Sequence, residues 1–199
     1  MHKKLELKKD GKTVMGQLDG PELPEGKVAP LIIFDQIAHQ ASLSKTYRDL
    51  LTKQGALTFT FTAKNIEDAQ EKIEVAFACL RERSEVYGEM ILLAGQAQGA
   101  RAAMLSAIDL GASVKGLILL SPSFLSQDLK RLGNYPGHAL VTAASQDDII
   151  PLDQIKKATQ LMAHGDFIEL RKEGHVYSDD AINRVAHLIQ LFIVTTLNH

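Results

Sequence analysis

Three short stretches carry residue types that together suit acyl-transfer chemistry. Gly95-Gln96-Ala97-Gln98-Gly99 lies between an apolar run, Met90 to Ala94, and an alanine-rich segment of helical character containing Ala100, Ala102, Ala103, Met104 and Ala107. A buried strand that turns sharply into a helix displays the central residue of the turn, and flanking glycines let the backbone bend and pack closely. Asp147 follows Ala97 by 50 residues and His175 follows Asp147 by 28, so the chain order is displayed residue, acid, histidine. In such a set the acid orients the histidine, and the histidine takes a proton from the displayed nucleophile. Ala97 breaks the set, because a methyl group has no proton to give.

These residues need a scaffold that brings strand ends together, and the hydropathy pattern supplies one. Short continuous apolar runs alternate with longer segments of helical period, as expected of strands buried on both faces between helices. The runs are Ala29 to Phe34, Ala56 to Phe61, Met90 to Ala94, Gly116 to Leu120, His138 to Ala143 and Asp166 to Leu170. The clearest helix places Ile66, Ala69, Ile73, Ala76, Phe77 and Leu80 on one face, with Asn65 as its cap and Asp68 near the positive end of its dipole. A last helix from about Ser178 carries Ile182, Val185, Ile189 and Phe192 at similar spacing. The expected fold is therefore α/β, one three-layer domain over residues 1–199 with a mostly parallel central sheet. Within residues 1–27, Asp10-Gly11 suits a tight hairpin turn, and Pro21 and Pro24 with Gly20 and Gly26 mark a connecting loop. Lysines 3, 4, 8, 9 and 12 read as a solvated edge strand that resists edge-to-edge pairing.

In an open parallel sheet, ligands bind at the carboxyl ends of the strands. Asp35-Gln36-Ile37, Gly95 to Gly99, Gln146 to Pro151 and Glu173-Gly174-His175 each follow an apolar run and mark that end of the domain.

Composition narrows the class. The 199 residues are 45% hydrophobic and 23% charged, with 22 basic against 24 acidic side chains and a formal charge of −2, so a dedicated nucleic-acid binder is not expected. No apolar run approaches the ~20 residues that cross a bilayer, so no membrane association is expected. A lone cysteine, Cys79, and an N-terminus without an apolar stretch fit a reducing cytoplasm. The Gly-x-Gly-x-x-Gly pattern is absent after the first core strand, so no nicotinamide or flavin cofactor is implied.

The chain resembles the α/β-hydrolase superfamily, in particular small bacterial esterases of the dienelactone hydrolase and cinnamoyl or feruloyl esterase kind. The resemblance runs over roughly residues 28 to 197. It rests on Leu93 to Gly99, Leu119-Leu120-Ser121-Pro122, Gln146 to Pro151 and Glu173 to Asp179. It implies an α/β-hydrolase core with Ala97 at the nucleophile position, Asp147 as the acid and His175 as the base. Oxyanion donors would be the backbone N–H of Gln98 and one near Ile37. The implied ligands are small acyl esters or aromatic acids.

Four departures accompany Ala97. Asp35-Gln36 stands where such esterases carry His-Gly, and Gln96 where histidine is common. The stretch Phe61 to Lys64 runs straight into the Asn65 helix without the expected Asp-x-x-Gly-x-Gly-x-Ser loop. Only residues 121–137 remain where related esterases insert a cap. A catalytically impaired pseudoenzyme accounts for all of these; a serine replaced by alanine in the laboratory, in an otherwise active carboxylesterase, accounts for Ala97 alone.

Other residues read as structural. Asp147, Asp148 and His175 lack an evident third metal ligand, so no metal is expected, and Asp148 reads as solvated. Cys79 reads as a packing residue within its helix. Ser121 and Ser123 flank Pro122 at a strand end and shape its turn. His39, His138, His164 and His187 carry no motif and default to surface or structural roles. The sequence sets neither the oligomeric state nor the ligand.

Overall fold

Gly116 to Leu120 is buried at every position, as a strand covered on both faces must be, and it lies near the middle of an eight-stranded sheet. The computed structural model describes all residues except 38–40 and 198–199, and all side chains except those of 35, 36, 41–44 and 197 within the remainder. In chain order the strands are β1 (His2–Lys9), β2 (Lys12–Asp19), β3 (Ala29–Ile37), β4 (Leu57–Ala63), β5 (Val86–Gln96), β6 (Gly116–Leu120), β7 (His138–Ala144) and β8 (His164–Leu170). The helices are α1 (Ala41–Lys53), α2 (Ile66–Leu80), α3 (Gln98–Leu110), α4 (Leu152–Thr159) and α5 (Asp179–Leu197). Across the sheet the order is β1-β2-β4-β3-β5-β6-β7-β8.

β1 and β2 form an antiparallel hairpin closed by Asp10 and Gly11, both at positive φ (51° and 77°). Asp and Gly suit that turn because each tolerates the left-handed conformation. β2 also pairs antiparallel with β4, and every pairing from β4 to β8 is parallel. The three-layer, mostly parallel α/β architecture is thus as the alternation of runs implies.

Two apolar layers enclose the sheet. Tyr47 and Leu51 of α1 and Ile182, Val185 and Ile189 of α5 pack on Ile32, Leu92 and Ile118. On the other face, residues of α2, α3 and α4 such as Ile73, Ala103 and Ile155 pack on Ile33, Phe59, Leu93 and Leu117. The α2 cap forms as its sequence suggests: the Asn65 side chain accepts the Asp68 N–H at 2.9 Å, and the Asp68 carboxylate accepts the Lys64 N–H at 2.7 Å. Ser178 caps α5, its Oγ accepting the Ala181 N–H at 3.2 Å.

Two boundaries differ from the apolar runs. β3 continues past Phe34 through Asp35, Gln36 and Ile37, because these stay in register with Phe61, Thr62 and Ala63 of β4. These three residues therefore end the strand and do not follow it. β5 likewise starts four residues before Met90, since Val86 pairs with Ala29 across a register shift. No helix among the described residues is long and apolar enough to cross a membrane.

Candidate active site

The turn at Ala97 is set by its neighbours. A Cβ built on Gly95 would lie 2.3 Å from the carbonyl carbon of Gly99 and 2.5 Å from the nitrogen of Ala100, so only glycine lets β5 run this close to the first turn of α3. Ala97 takes φ 49° and ψ −112°, outside the comfortable range of an L-residue. Its N–H donates to the Leu120 carbonyl at 2.9 Å, and its own carbonyl accepts the N–H groups of Arg101 and Ser123 at 3.2 Å each. The elbow is thereby tied both to α3 and to the segment that leaves β6. No side chain caps the start of α3. That leaves the N–H groups of its first turn at the positive end of the helix dipole, an arrangement suited to negative charge.

Ile37 ends β3 with a buried side chain. The last pair between β3 and β5 is Phe34 with Ala94, and Ile37 and Ala97 each lie three residues further on. The side chains of Asp35 and Gln36, whose chemistry separates this chain from related esterases, lie outside the described residues, as does His39. Gln96 is 3% exposed, and neither atom of its amide has a hydrogen-bond partner among the described residues.

Across the sheet, the segments after β7 and β8 bring Asp147 and His175 together. The Asp147 side chain is fully shielded from solvent. Its Oδ1 accepts the N–H groups of Ile149 and Ile150 at 2.9 Å, and both carboxylate oxygens lie 3.0–3.1 Å from His175 Nδ1. Burial pushes the carboxyl pKa up, but the two backbone donors and His175 outweigh it and hold the group below its ordinary value of 3.8. An ionised carboxylate can only accept, so the histidine donates to it from Nδ1. Asp148 is exposed, in keeping with a solvated role.

The histidine segment has its own supports. Glu173 accepts the Ser178 N–H and hydroxyl at 3.0 and 2.9 Å and pairs with Arg184 at 3.1 Å. The Ser178 N–H leads the contacts that hold its carboxyl below the usual range. The carbonyl of Glu173 accepts the Gln146 N–H at 2.8 Å, joining the histidine segment to the aspartate segment.

Beside the elbow is an open cleft of about 360 Å³. Ile66, Phe124, Ile150 and Pro151 give it apolar walls, and Gln98 and Gln154 give it amides. Its outer wall is braced by Arg101, which makes a bidentate pair with buried Asp128 at 2.6 and 3.1 Å; the same carboxylate accepts the Leu125 N–H at 2.8 Å. Residues 121–137 hold only a short 3-10 segment, Leu129–Asn134, with no cap domain.

Arg101 and Asp128 escape sequence reading because they lie 27 residues apart and belong to no local motif, and the pairing of Glu173 with Arg184, 11 residues on, is equally hidden there. Among the described residues no three His, Cys, Asp or Glu gather as a metal site. Cys79 lies against the core with its Sγ 3.6 Å from the Lys8 carbonyl, a packing position.

The sheet order and helical layers are those of an α/β-hydrolase. The chain belongs to the dienelactone hydrolase family, whose sequence profile matches residues 40–177. Among solved structures it is similar to Est1E from Butyrivibrio proteoclasticus, with a TM-score of 0.83 at 16% identity over 98% of this chain and 99% of that one. The ferulic acid complex of Est1E matches equally, at TM-score 0.83 and 16% identity over 98% of this chain and 100% of that one. The esterase domain of a Rhodothermus marinus protein aligns at TM-score 0.77 and 16% identity, over 96% of this chain and 97% of that one. No curated protein matches the chain by sequence.

Proposed function

We propose that this dienelactone hydrolase family protein retains an esterase-type site that binds small acyl esters or aromatic acids and is impaired in turning them over. Asp147 and His175 would be its acid and base, Ala97 would stand at the nucleophile position, and the N–H groups of Gln98 and Ile37 would face the oxyanion. The observation that carries this reading is the pairing of a strained elbow at Ala97 with an intact Asp147–His175 couple. The backbone holds a nucleophile's conformation around a residue with no hydroxyl. Without that oxygen no acyl-enzyme can form, and loss of the nucleophile alone lowers turnover by about 10⁶ in serine hydrolases. Ferulic acid bound to Est1E, a protein of the same fold, supports an aromatic acid as the ligand class. The uncapped cleft favours a small, partly solvated ligand.

A second reading, an active carboxylesterase whose serine has been replaced by Ala97, draws on the same intact geometry. One experiment separates both from an inert fold: hydrolysis of p-nitrophenyl acetate and labelling by a fluorophosphonate, for the unaltered chain and for Ala97→Ser. Turnover and labelling confined to Ala97→Ser, at least about 10³ above the unaltered chain, are expected. Absence of both in Ala97→Ser, together with no binding of ferulic acid to the unaltered chain, would refute the esterase-type site.

A further inference from the structure

The site residues follow β5, β7 and β8, with β6 between the elbow and the Asp147 strand, and a buried polar triangle spans that gap. Tyr177, two residues after His175, is 3% exposed and turns its hydroxyl into the protein. Its Oη lies 2.9 Å from the Ser121 hydroxyl and 3.1 Å from that of Thr142, both fully buried. Burial raises the phenol pKa, so the group stays protonated, donating to one hydroxyl and accepting from the other. Thr142 belongs to β7, and Ser121 directly follows Leu120 of β6.

Ser121 is itself held in an unusual conformation. Its φ is 41°, rare for a residue that is not glycine, and its N–H donates to the Thr142 carbonyl at 2.8 Å. The preceding carbonyl, of Leu120, is the acceptor of the Ala97 N–H. A continuous path of short bonds therefore runs from the elbow through Leu120 and Ser121 to Tyr177, and from there along two residues of chain to His175. Ser121 and Tyr177, 56 positions apart in the chain, meet at a single phenol oxygen.

We propose that the Tyr177 hydroxyl is a positioning group that fixes the His175 segment against the elbow, with Ser121 and Thr142 as its anchors. This rests on the reading of Ala97, Asp147 and His175 as one site. Burying three hydroxyls in an apolar layer is costly unless each finds a partner, and a phenylalanine at 177 would fill the same space without the hydroxyl that joins the other two. What the hydroxyl adds is a fixed separation: it locks the histidine segment to β6 and β7, whereas apolar packing alone tolerates sliding.

The test compares two tyrosine hydroxyls. Tyr135 is also buried and donates to the Val114 carbonyl at 3.0 Å, and Val114 directly precedes the Lys115–Gly116 start of β6, at the amino ends of the strands, away from the elbow. In the unaltered chain, the proton bridging His175 Nδ1 and Asp147 is followed by NMR, and its exchange with water is measured in Tyr177→Phe, Thr142→Val and Tyr135→Phe. Exchange about tenfold faster in Tyr177→Phe is expected, the factor that one ordinary hydrogen bond represents, with a smaller acceleration in Thr142→Val and none in Tyr135→Phe. In the Ala97→Ser background, Tyr177→Phe should lower kcat by a similar factor and leave KM unchanged.

Equal exchange in Tyr177→Phe and Tyr135→Phe would overturn the proposal, since both lose one buried hydroxyl and only a positioning role tells them apart. Should Tyr177→Phe fail to fold, Thr142→Val against Tyr135→Phe makes the same comparison, and equality there overturns it equally. A silent Ala97→Ser together with no ferulic acid binding refutes only the functional reading, because the proton exchange requires neither turnover nor ligand.

Discussion

On the histidine side, Asp147 is shielded and bonded to two backbone N–H groups and an imidazole, while Glu173 binds the cap of α5 and Arg184. On the elbow side, Ala97 makes its hydrogen bonds through its backbone alone, with Leu120, Ser123 and Arg101, and the turn is kept tight by the close approach of Gly95 to α3. The difference separates side chains that tie segments together by hydrogen bonds from a position whose side chain makes none. Asp147 and His175 join the segments after β7 and β8, so removing either breaks tertiary structure as well as a site. A hydroxyl at position 97 would hold nothing together, and its absence leaves the turn intact. The elbow can therefore carry alanine or serine at 97 without disturbing the Asp147–His175 pair.

Ala97→Ser tests this most severely, because a gain of at least about 10³ in ester turnover would show that the elbow side lacks only one oxygen. Equal rates would mean that the elbow side has changed beyond its side chain. Next in size is Gly95→Ala. Its methyl has backbone, not flexible side chain, at 2.3 Å, so strand and helix must separate, and a loss of about 3 kcal/mol is expected in denaturant unfolding. A loss near zero would show that glycine contact does not set the elbow.

Asp147→Ala strips an acceptor from Ile149, Ile150 and His175 and should cost about 1–2 kcal/mol, the loss of hydrogen bonds to a charged acceptor whose donors can partly turn to water. The same substitution should flatten the acid limb of the stability curve. Asp147 has its pKa lowered on folding, so the stability it contributes is complete above its ordinary value of 3.8 and disappears as pH falls through the lower folded value. An unchanged acid limb in Asp147→Ala, followed by circular dichroism, would remove Asp147 from the stabilising half. The smallest effect runs the other way: Ala97→Gly relieves a positive φ and should raise stability by about 1 kcal/mol, strain relief exceeding the added chain entropy.

Much of this was legible in the sequence wherever a pattern is local. Gly116 to Leu120 is a strand over the residues its apolar run marks, and Asn65 with Asp68 forms the α2 cap that their spacing suggests. The strand end at Asp35-Gln36-Ile37 was not legible, because its extension is imposed by pairing with β4, and apolar content stops at Phe34. The meeting of Asp147 and His175 was accessible through chain order and resemblance. Tyr177 was not: it sits in plain view two residues from His175, but its partners at 121 and 142 come from other strands, and nothing in Val176-Tyr177-Ser178 shows that the ring turns inward. Gln96 marks the opposite limit, since its departure from histidine is visible in the sequence and its burial without a partner appears only in three dimensions.

The contact of Gly95 with α3 has a genetic corollary. Because that contact keeps the turn at residue 97 bent whichever small side chain stands there, the backbone would be the same with or without a hydroxyl at this position. Every alanine codon lies a single base away from a serine codon. Serine is thus always among the nearest mutational neighbours of Ala97, and the turn would accept it without rebuilding.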